Sequence, residues 1–516
     1  MRSQGWADLY GWKIERADPT PLPRQIYAQI RSAILSGALS AGSRLPSSRD
    51  LAARLGTARA SVIAGYEQLV AEGYAEARPG SGTFVCADLA NLICRAPQAG
   101  PRRKPCPIRP PARDFSDFER AAPAPEERPF TTGRTLVDAR TVAAWRKLTH
   151  LAVRSLGADD LGYTDPCGLA GLRQSLCDYL RAARAVRCEP RQVVITAGTQ
   201  QGIELAIRVL LTTGDEVWVE VPGYPLTHAQ LTLAGVRPRP VPVDKHGLDV
   251  DAGLQAAPRA RAAFLTPSHQ FPTGVPLSMA RRLALLAWAR EHDAFVVEDD
   301  YTSEFCYSGP PLASLQGLDQ DGRVIYVGTL NKALFPGLRL GYAVVPEPLL
   351  PAFANACYLM DRQPPTLYQT VAAEFLRQGH FAAHIRRMRQ LYREQRDALV
   401  EILTNRASER LTVVAPDQGM HLVAYFRDPV SDVEFESAAL RAGIVVRAIS
   451  RFYRGAAPRS GLMLGFSGFP RQRIIPTAAR LAGPRHRPHR SQTQLMNSVP
   501  PPRERNTPRI DLGDSC

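Results

Sequence analysis

The chain has 516 residues, 45% of them hydrophobic, and a formal charge of +15 at pH 7. That length exceeds what one hydrophobic core usually organises, so a globular protein of two or more domains is expected. The basic excess permits a polyanionic partner, although Arg-rich linkers and a basic tail would supply much of it with no partner at all.

The nine cysteines (Cys86, Cys94, Cys106, Cys167, Cys177, Cys188, Cys306, Cys357 and Cys516) are odd in number and scattered, without a CxxC pair or metal-type spacing. They read as reduced structural thiols of a cytoplasmic protein, with no metal site. The opening MRSQGWADLY lacks the apolar run of a signal peptide, and no stretch approaches the roughly 20 apolar residues that cross a bilayer. No membrane association is expected.

Residues 19–86 form the first predicted domain. Leu22, Ile26, Ile30 and Ala33/Ile34 recur at helical spacing and predict a helix over 22–36 with one apolar face. A second helix begins near Ser48, carries Leu51, Ala52 and Leu55, and breaks at Gly56. A third runs over 59–72 with Val62, Tyr66, Leu69 and Val70 inward. Two short helices around a Gly-containing turn are the geometry that sets the second into a DNA major groove. Arg59 and Ser61 then stand at its exposed start, where a guanidinium reaches a guanine edge or a phosphate. Behind it, GYAEARPGSGTFV predicts two strands around Pro79-Gly80-Ser81-Gly82, a wing whose backbone N–H groups can approach phosphates. The same pattern also suits a three-helix packing domain whose arginines are merely solvated.

Residues 87–127 are rich in Pro, Arg and Ala and too poor in large apolar side chains to build a core, which predicts a linker. It would span on the order of 35 Å as a coil and up to about 125 Å in polyproline form, enough to reach a neighbouring subunit.

Over 128–483, continuous apolar runs alternate with amphipathic stretches: VVIT (193–196), EVWVEV (216–221), AAFLT (262–266), FVVED (295–299) and VIYVGT (324–329), with helices expected at 200–211 and 279–291. Buried strands alternating with helices predict an α/β domain whose largely parallel sheet is covered on both faces. After Gly483 periodicity is lost, and 484–516 is expected to be a disordered basic tail.

Chemistry concentrates at three strand ends of this second domain. Ile195-Thr196-Ala197-Gly198-Thr199-Gln200 ends a strand and opens a helix, so backbone N–H groups and the helix dipole face an anion there; a Gly at such a turn also serves simply as a turn. The strand at 295–299 ends in Asp299, at the edge where open α/β sheets place ligands. A carboxylate there can keep a pyridine nitrogen protonated, and Tyr301 is placed to hydrogen-bond a phenolic oxygen; capping of the following segment is the plainer role for Asp299 and Asp300. The strand at 324–329 leads into a loop bearing Lys332, among small, apolar and Gly residues. Desolvation and nearby cations can leave such a lysine neutral, as an amine that attacks an aldehyde must be.

The order and content of these motifs carry a resemblance. The run LPSSRDLAARLGTARASVIAGYEQLVAEGYAEARPGSGTFV resembles the winged helix-turn-helix of GntR-type bacterial regulators. It implies double-stranded operator DNA as a partner, contacted by Arg49, Arg59, Ser61, Gly80, Ser81 and Gly82. Ala60 stands where a hydroxylated residue is common, so base preference does not carry over. From about 128 to 483 the motifs LGYTDPCGLAGLR, AGTQQGIELA, VPGYP, TPSHQFPTG, VEDDYTSEF and GTLNKALFPGLRLGY resemble fold-type I aminotransferases, and the two parts together resemble the MocR/GabR group of regulators. The resemblance implies pyridoxal 5'-phosphate as cofactor, with Lys332 carrying the internal aldimine, Asp299 on the pyridine nitrogen, Tyr301 on the phenolic oxygen and Tyr224 stacked on the ring. It places Gly198, Thr199, Gln200, Thr329 and Arg339 on the phosphate, and Tyr163 from the partner subunit of a homodimer. It also implies a mostly parallel sheet followed by a small C-terminal α+β subdomain.

Two positions depart from the pattern. Phe271 precedes Pro-Thr-Gly where aminotransferases carry Asn, with His269 and Gln270 upstream as polar substitutes. Met463 stands where many place the Arg that clamps a substrate carboxylate, and a thioether makes no bidentate clamp. Arg447 and Arg451 are the substitutes on offer for an effector's carboxylate. A regulator that senses pyridoxal phosphate or an amino compound is therefore expected. An active aminotransferase with secondary DNA binding is the alternative, and a DNA-binding protein whose second domain only dimerises is a third.

Overall fold

A computed structural model describes residues 12–87, 128–309, 312–454 and 458–483. Nearly all of the expected linker and the whole expected tail lie outside these residues. The chain divides into two compact units, Met1–Arg109 and Pro110–Cys516.

In the first unit, helix α1 (Leu22–Leu35) opens with Pro23 in its first turn, where a missing N–H costs nothing, and buries Ile26, Ile30, Ala33 and Ile34. Helix α2 (Ser48–Leu55) is capped by Ser47, whose hydroxyl accepts from the Asp50 N–H at 3.1 Å, and it ends at Gly56 in the left-handed region. Helix α3 (Arg59–Ala71) buries Val62, Tyr66 and Leu69. Val70, expected inward, is instead 37% exposed. Positions 62, 66 and 69 already occupy the core face at i, i+4 and i+7, and the next residue lies about 100° around the helix. Strands β1 (Ala75–Arg78) and β2 (Gly82–Val85) pair antiparallel, with Arg78 opposite Gly82. The turn is thus Pro79-Gly80-Ser81, and Gly82 opens the returning strand.

The second unit is built on an eight-stranded sheet. Its strands are β3 (Val193–Thr196), β4 (Glu216–Val221), β5 (Arg237–Asp244), β6 (Gly247–Leu248), β7 (Ala262–Leu265), β8 (Phe295–Asp300), β9 (Val324–Thr329) and β10 (Gly341–Val344), in the order β3-β10-β9-β8-β7-β4-β5-β6. The run β9-β8-β7-β4-β5 is parallel throughout. Antiparallel pairing enters only at the margins, through β10 and β6. The five predicted strands all form, with ends within one residue of expectation. Alternate side chains feed separate cores on the two faces: Val217, Val219, Val297 and Val327 on one, Trp218, Ala263, Val296 and Val324 on the other. Burial of both faces is what made these strands continuous apolar runs.

The C-terminal part carries a four-stranded antiparallel sheet of β11 (Leu411–Val414), β12 (His421–Phe426), β13 (Arg447–Ala448) and β14 (Gly461–Gly465), packed with the helices His380–Ala407 and Arg471–Ala482. Phe130 bridges to Gly465 of β14, whose N–H donates to the Phe130 carbonyl at 3.0 Å. This stitch fixes the segment that carries Gly133.

Candidate functional site

Strand β9 runs straight into a single helical turn, Leu330–Ala333, where the sequence had suggested a loop. Thr329 makes that turn: its hydroxyl accepts from the Asn331 N–H at 3.0 Å and donates to the Leu340 carbonyl at 3.2 Å. Asn331 in turn accepts the Leu340 N–H at 2.9 Å. The result aims Lys332 at Gly133, with Nζ donating to the Gly133 carbonyl at 3.1 Å. Desolvation, and then the Arg339 guanidinium, hold the lysine below its usual pKa. Both favour the neutral amine.

Gly198 joins β3 to the helix Thr199–Leu210 at φ +123°, a backbone conformation that L side chains rarely adopt. A Cβ there would lie 2.9 Å from Asn331 Nδ2 and 3.4 Å from the Arg339 guanidinium. The turn, the helix start at Thr199 and Gln200, the β9 end at Thr329 and Arg339 therefore converge, as an anion cradle requires. Arg339 itself adopts a left-handed φ of 52°.

Asp299, next to last in β8, is almost wholly buried, and its Oδ1 finds no hydrogen-bond partner among the described residues. Burial, then the neighbouring Asp300 and Glu220 carboxyls, push its pKa up to about 8. Beside it Asp300 is locked: Arg184 donates Nε at 2.9 Å and Tyr326 its hydroxyl at 2.6 Å, while Arg184 Nη2 reaches Ser268 Oγ at 2.8 Å. The Tyr301 hydroxyl donates to the His269 carbonyl at 3.1 Å. Tyr224 lines one cavity with Asp299 and meets Phe271 edge-on at 5.2 Å. Lys332, Asp299 with its orphaned oxygen, and the glycine cradle fit pyridoxal phosphate: an amine for the aldehyde, a carboxylate for the ring nitrogen and N–H groups with a guanidinium for the phosphate.

Not every expected residue joins this group. Tyr163 is 77% exposed, with Arg362 over its ring at 3.9 Å. Arg447 and Arg451 face Glu436 at 3.8 and 2.8 Å. Met463 is buried in β14 opposite Arg447 and Val423, within an apolar cluster that Phe271 and Phe452 join. Sequence reasoning missed Gly133, Asn331 and Arg184, whose roles arise from contacts distant in the chain.

In the first unit Arg49 and Arg59 are exposed and Ser61 is half-buried, with Arg59 Nε donating to Ser48 Oγ at 3.0 Å. Gly80, Ser81 and Gly82 are exposed at the wing. Arg44, not anticipated, lies at the wing too: a Cβ on Gly82 would come 3.0 Å from its Nε. Among the described residues no helix is long and apolar enough to cross a membrane, and no cluster of three or more His, Cys, Asp or Glu is arranged for a metal. The six described cysteines are free thiols; Cys94, Cys106 and Cys516 lie outside the described residues.

Fold and site together define a fold-type I aminotransferase domain carried behind a winged helix-turn-helix. Residues 129–461 match the family model for aminotransferase class I and II, and residues 22–85 that for bacterial regulatory proteins of the gntR family. The chain is 36% identical to the "Probable rhizopine catabolism regulatory protein MocR" of Rhizobium meliloti, over 88% of this chain and 92% of that one. It is 32% identical to the "HTH-type pyridoxine biosynthesis transcriptional regulator PdxR" of Corynebacterium glutamicum, over 87% and 92%. Among solved structures, the Pyrococcus horikoshii kynurenine aminotransferase aligns with a TM-score of 0.61 at 28% identity, covering 66% of this chain and 86% of that one. The chain belongs to the MocR/GabR-type transcriptional regulators, in which a gntR-family DNA-binding module precedes an aminotransferase class I and II domain.

Proposed function

We propose that this regulator responds to pyridoxal phosphate, or to an amino compound that meets it, through covalent attachment of the cofactor at Lys332. The observation that carries the reading is Lys332 itself: its Nζ is aimed by Gly133, held below its usual pKa, and set beside the cradle of Gly198 and Arg339. When bound, the cofactor supplies an aldehyde and an electron-accepting ring. The chain's residues then divide the work. Asp299 Oδ1 would accept the hydrogen bond of a protonated ring nitrogen, Tyr301 would meet the phenolic oxygen, Tyr224 the ring face, and Gly198, Thr199, Gln200, Thr329 and Arg339 the phosphate.

An effector shifts an equilibrium only by its differential affinity for two states, and capture of an amine that frees Lys332 supplies one. The relative named for pyridoxine biosynthesis suits the cofactor as signal, and the relative named for rhizopine catabolism suits a small-molecule signal. Arg49, Arg59, Ser61 and the wing glycines contact operator DNA. A homodimer, in which Tyr163 completes the partner's site, is supported by the exposed apolar residues Leu161, Tyr163, Tyr358 and Leu359.

The test is a mobility shift on the chain's own upstream region, for wild type and Lys332→Ala, with and without pyridoxal phosphate, beside visible absorption of the bound cofactor. Cofactor-dependent binding that disappears in the variant is the expected result. Turnover of amino donor and keto acid with no DNA binding would overturn it in favour of an enzyme. Cofactor-independent regulation that survives Lys332→Ala would leave the second domain as a dimerisation scaffold.

A further inference from the structure

Glu220, at the end of β4, has no part in the scheme above, yet it is only 6% exposed and lines the same cavity as Asp299, Tyr224 and His228. Thr266, which follows β7, stands next to it. Its N–H and hydroxyl both donate to Glu220 Oε2, at 3.0 and 2.8 Å. The direction of the second bond is supported from behind, because Thr266 Oγ1 accepts the Phe271 N–H at 2.9 Å and so turns its own proton toward the carboxyl. Two donors at one oxygen favour the charged form and offset part of the burial that raises this carboxyl.

The cavity therefore presents two carboxyls, one with its donors supplied and one, Asp299, with Oδ1 unpartnered. Neither of the other titratable side chains that line the cavity, His228 and Tyr224, supplies a cation. His228 has an unpartnered Nε2 and is driven down to about 4 by burial and then by Arg454. Tyr224 is pushed up to about 12, and Asp300 is committed to Arg184 and Tyr326. Burial raises Glu220 itself to about 7, against the pull of Thr266.

We propose that Glu220 is a positioning residue for the pyridine end of the cofactor, a second carboxyl that acts through Asp299 to keep the ring nitrogen protonated. It rests on the reading of Lys332 as the cofactor's anchor. Asp299 Oδ1 would accept the hydrogen bond of a protonated ring nitrogen, and Glu220, which lines the same cavity, would add its negative field. No proton is transferred to Glu220, and no bond changes. The charge raises the cost of losing the ring proton.

The experiment is a pH titration of the visible absorption of the pyridoxal-phosphate-loaded full chain, for wild type, Glu220→Gln and Thr266→Val, with the ring-nitrogen chemical shift of ¹⁵N-labelled cofactor at each end point. Glutamine keeps an oxygen for both Thr266 donors and removes only the charge. The expected result is a downward displacement of the titration by about one pH unit, with a ring nitrogen that loses its proton earlier. Thr266→Val, which withdraws one donor from Glu220, is expected to move it the same way by less, and it serves alone if Glu220→Gln does not fold. Titrations that superimpose on wild type overturn the proposal and leave Glu220 as a brace for Thr266. Absence of any cofactor band in wild type would instead defeat the Lys332 reading, and this one with it.

Discussion

Lys332 Nζ and the Gly133 carbonyl, 199 positions apart in sequence, lie 3.1 Å from each other, and Gly133 holds a left-handed φ of 70°. A Cβ on Gly133 would stand 2.5 Å from that nitrogen. Gly133→Ala must therefore strain the backbone or displace the amine. Absorbance titration with pyridoxal phosphate is expected to show a Kd raised about tenfold or more, equivalent to about 1.4 kcal/mol, with secondary structure unchanged by circular dichroism.

The cofactor-free protein is expected to carry a pH signature of Asp299. Its folded pKa, about 8, is raised above the ordinary aspartate value of 3.8. An acid so shifted stabilises the fold fully below its unfolded pKa and loses that contribution as pH rises through the folded one. The difference in Tm between wild type and Asp299→Asn should thus move against wild type from about pH 4 to about pH 8. Thermal scans across that window check it, and a cation bound at Oδ1 should flatten the trend.

Arg184 and Asp300 form an ion pair at 2.7 Å with side chains 2% and 1% exposed. Removing one partner leaves the other charge uncompensated in the interior, a loss of about 3–5 kcal/mol. Urea unfolding of Arg184→Met is expected to show it. The double variant with Asp300→Asn should recover part of that loss, because the stranded charge is gone.

In the first unit, Arg49→Ala is expected to lower the salt dependence of DNA binding by about one phosphate contact, whatever the sequence bound. Arg59→Ala, at the start of α3, should cost about 1–3 kcal/mol on the operator and much less on unrelated DNA. Fluorescence anisotropy at several salt concentrations separates the two behaviours.

What could be read before the structure was whatever lay within a few residues of chain. The five buried strands announced themselves as apolar runs, and the motifs around Gly198, Asp299 and Lys332 are each local. Gly133 was not legible, because its role depends on a bridge between Phe130 and Gly465 that closes more than 300 positions of sequence. Arg184 likewise gains its meaning only where the end of its helix meets the end of β8. Val70 shows the converse error: its apolar side chain suggested the core, but the helical period had already given that face to Leu69. The turn under Lys332 read as a loop because its cap, Thr329, belongs to the preceding strand.

Asn331 and Thr329 fasten the lysine turn to Leu340, the residue next to Arg339. The amine of Lys332 and the guanidinium of Arg339 thereby sit on one bracket, closed by side-chain hydrogen bonds to a single residue. On the proposed reading, a displacement of Lys332 would pass through those bonds to the segment that carries Arg339. A sensor built this way would need no second switch to report that its lysine has been released.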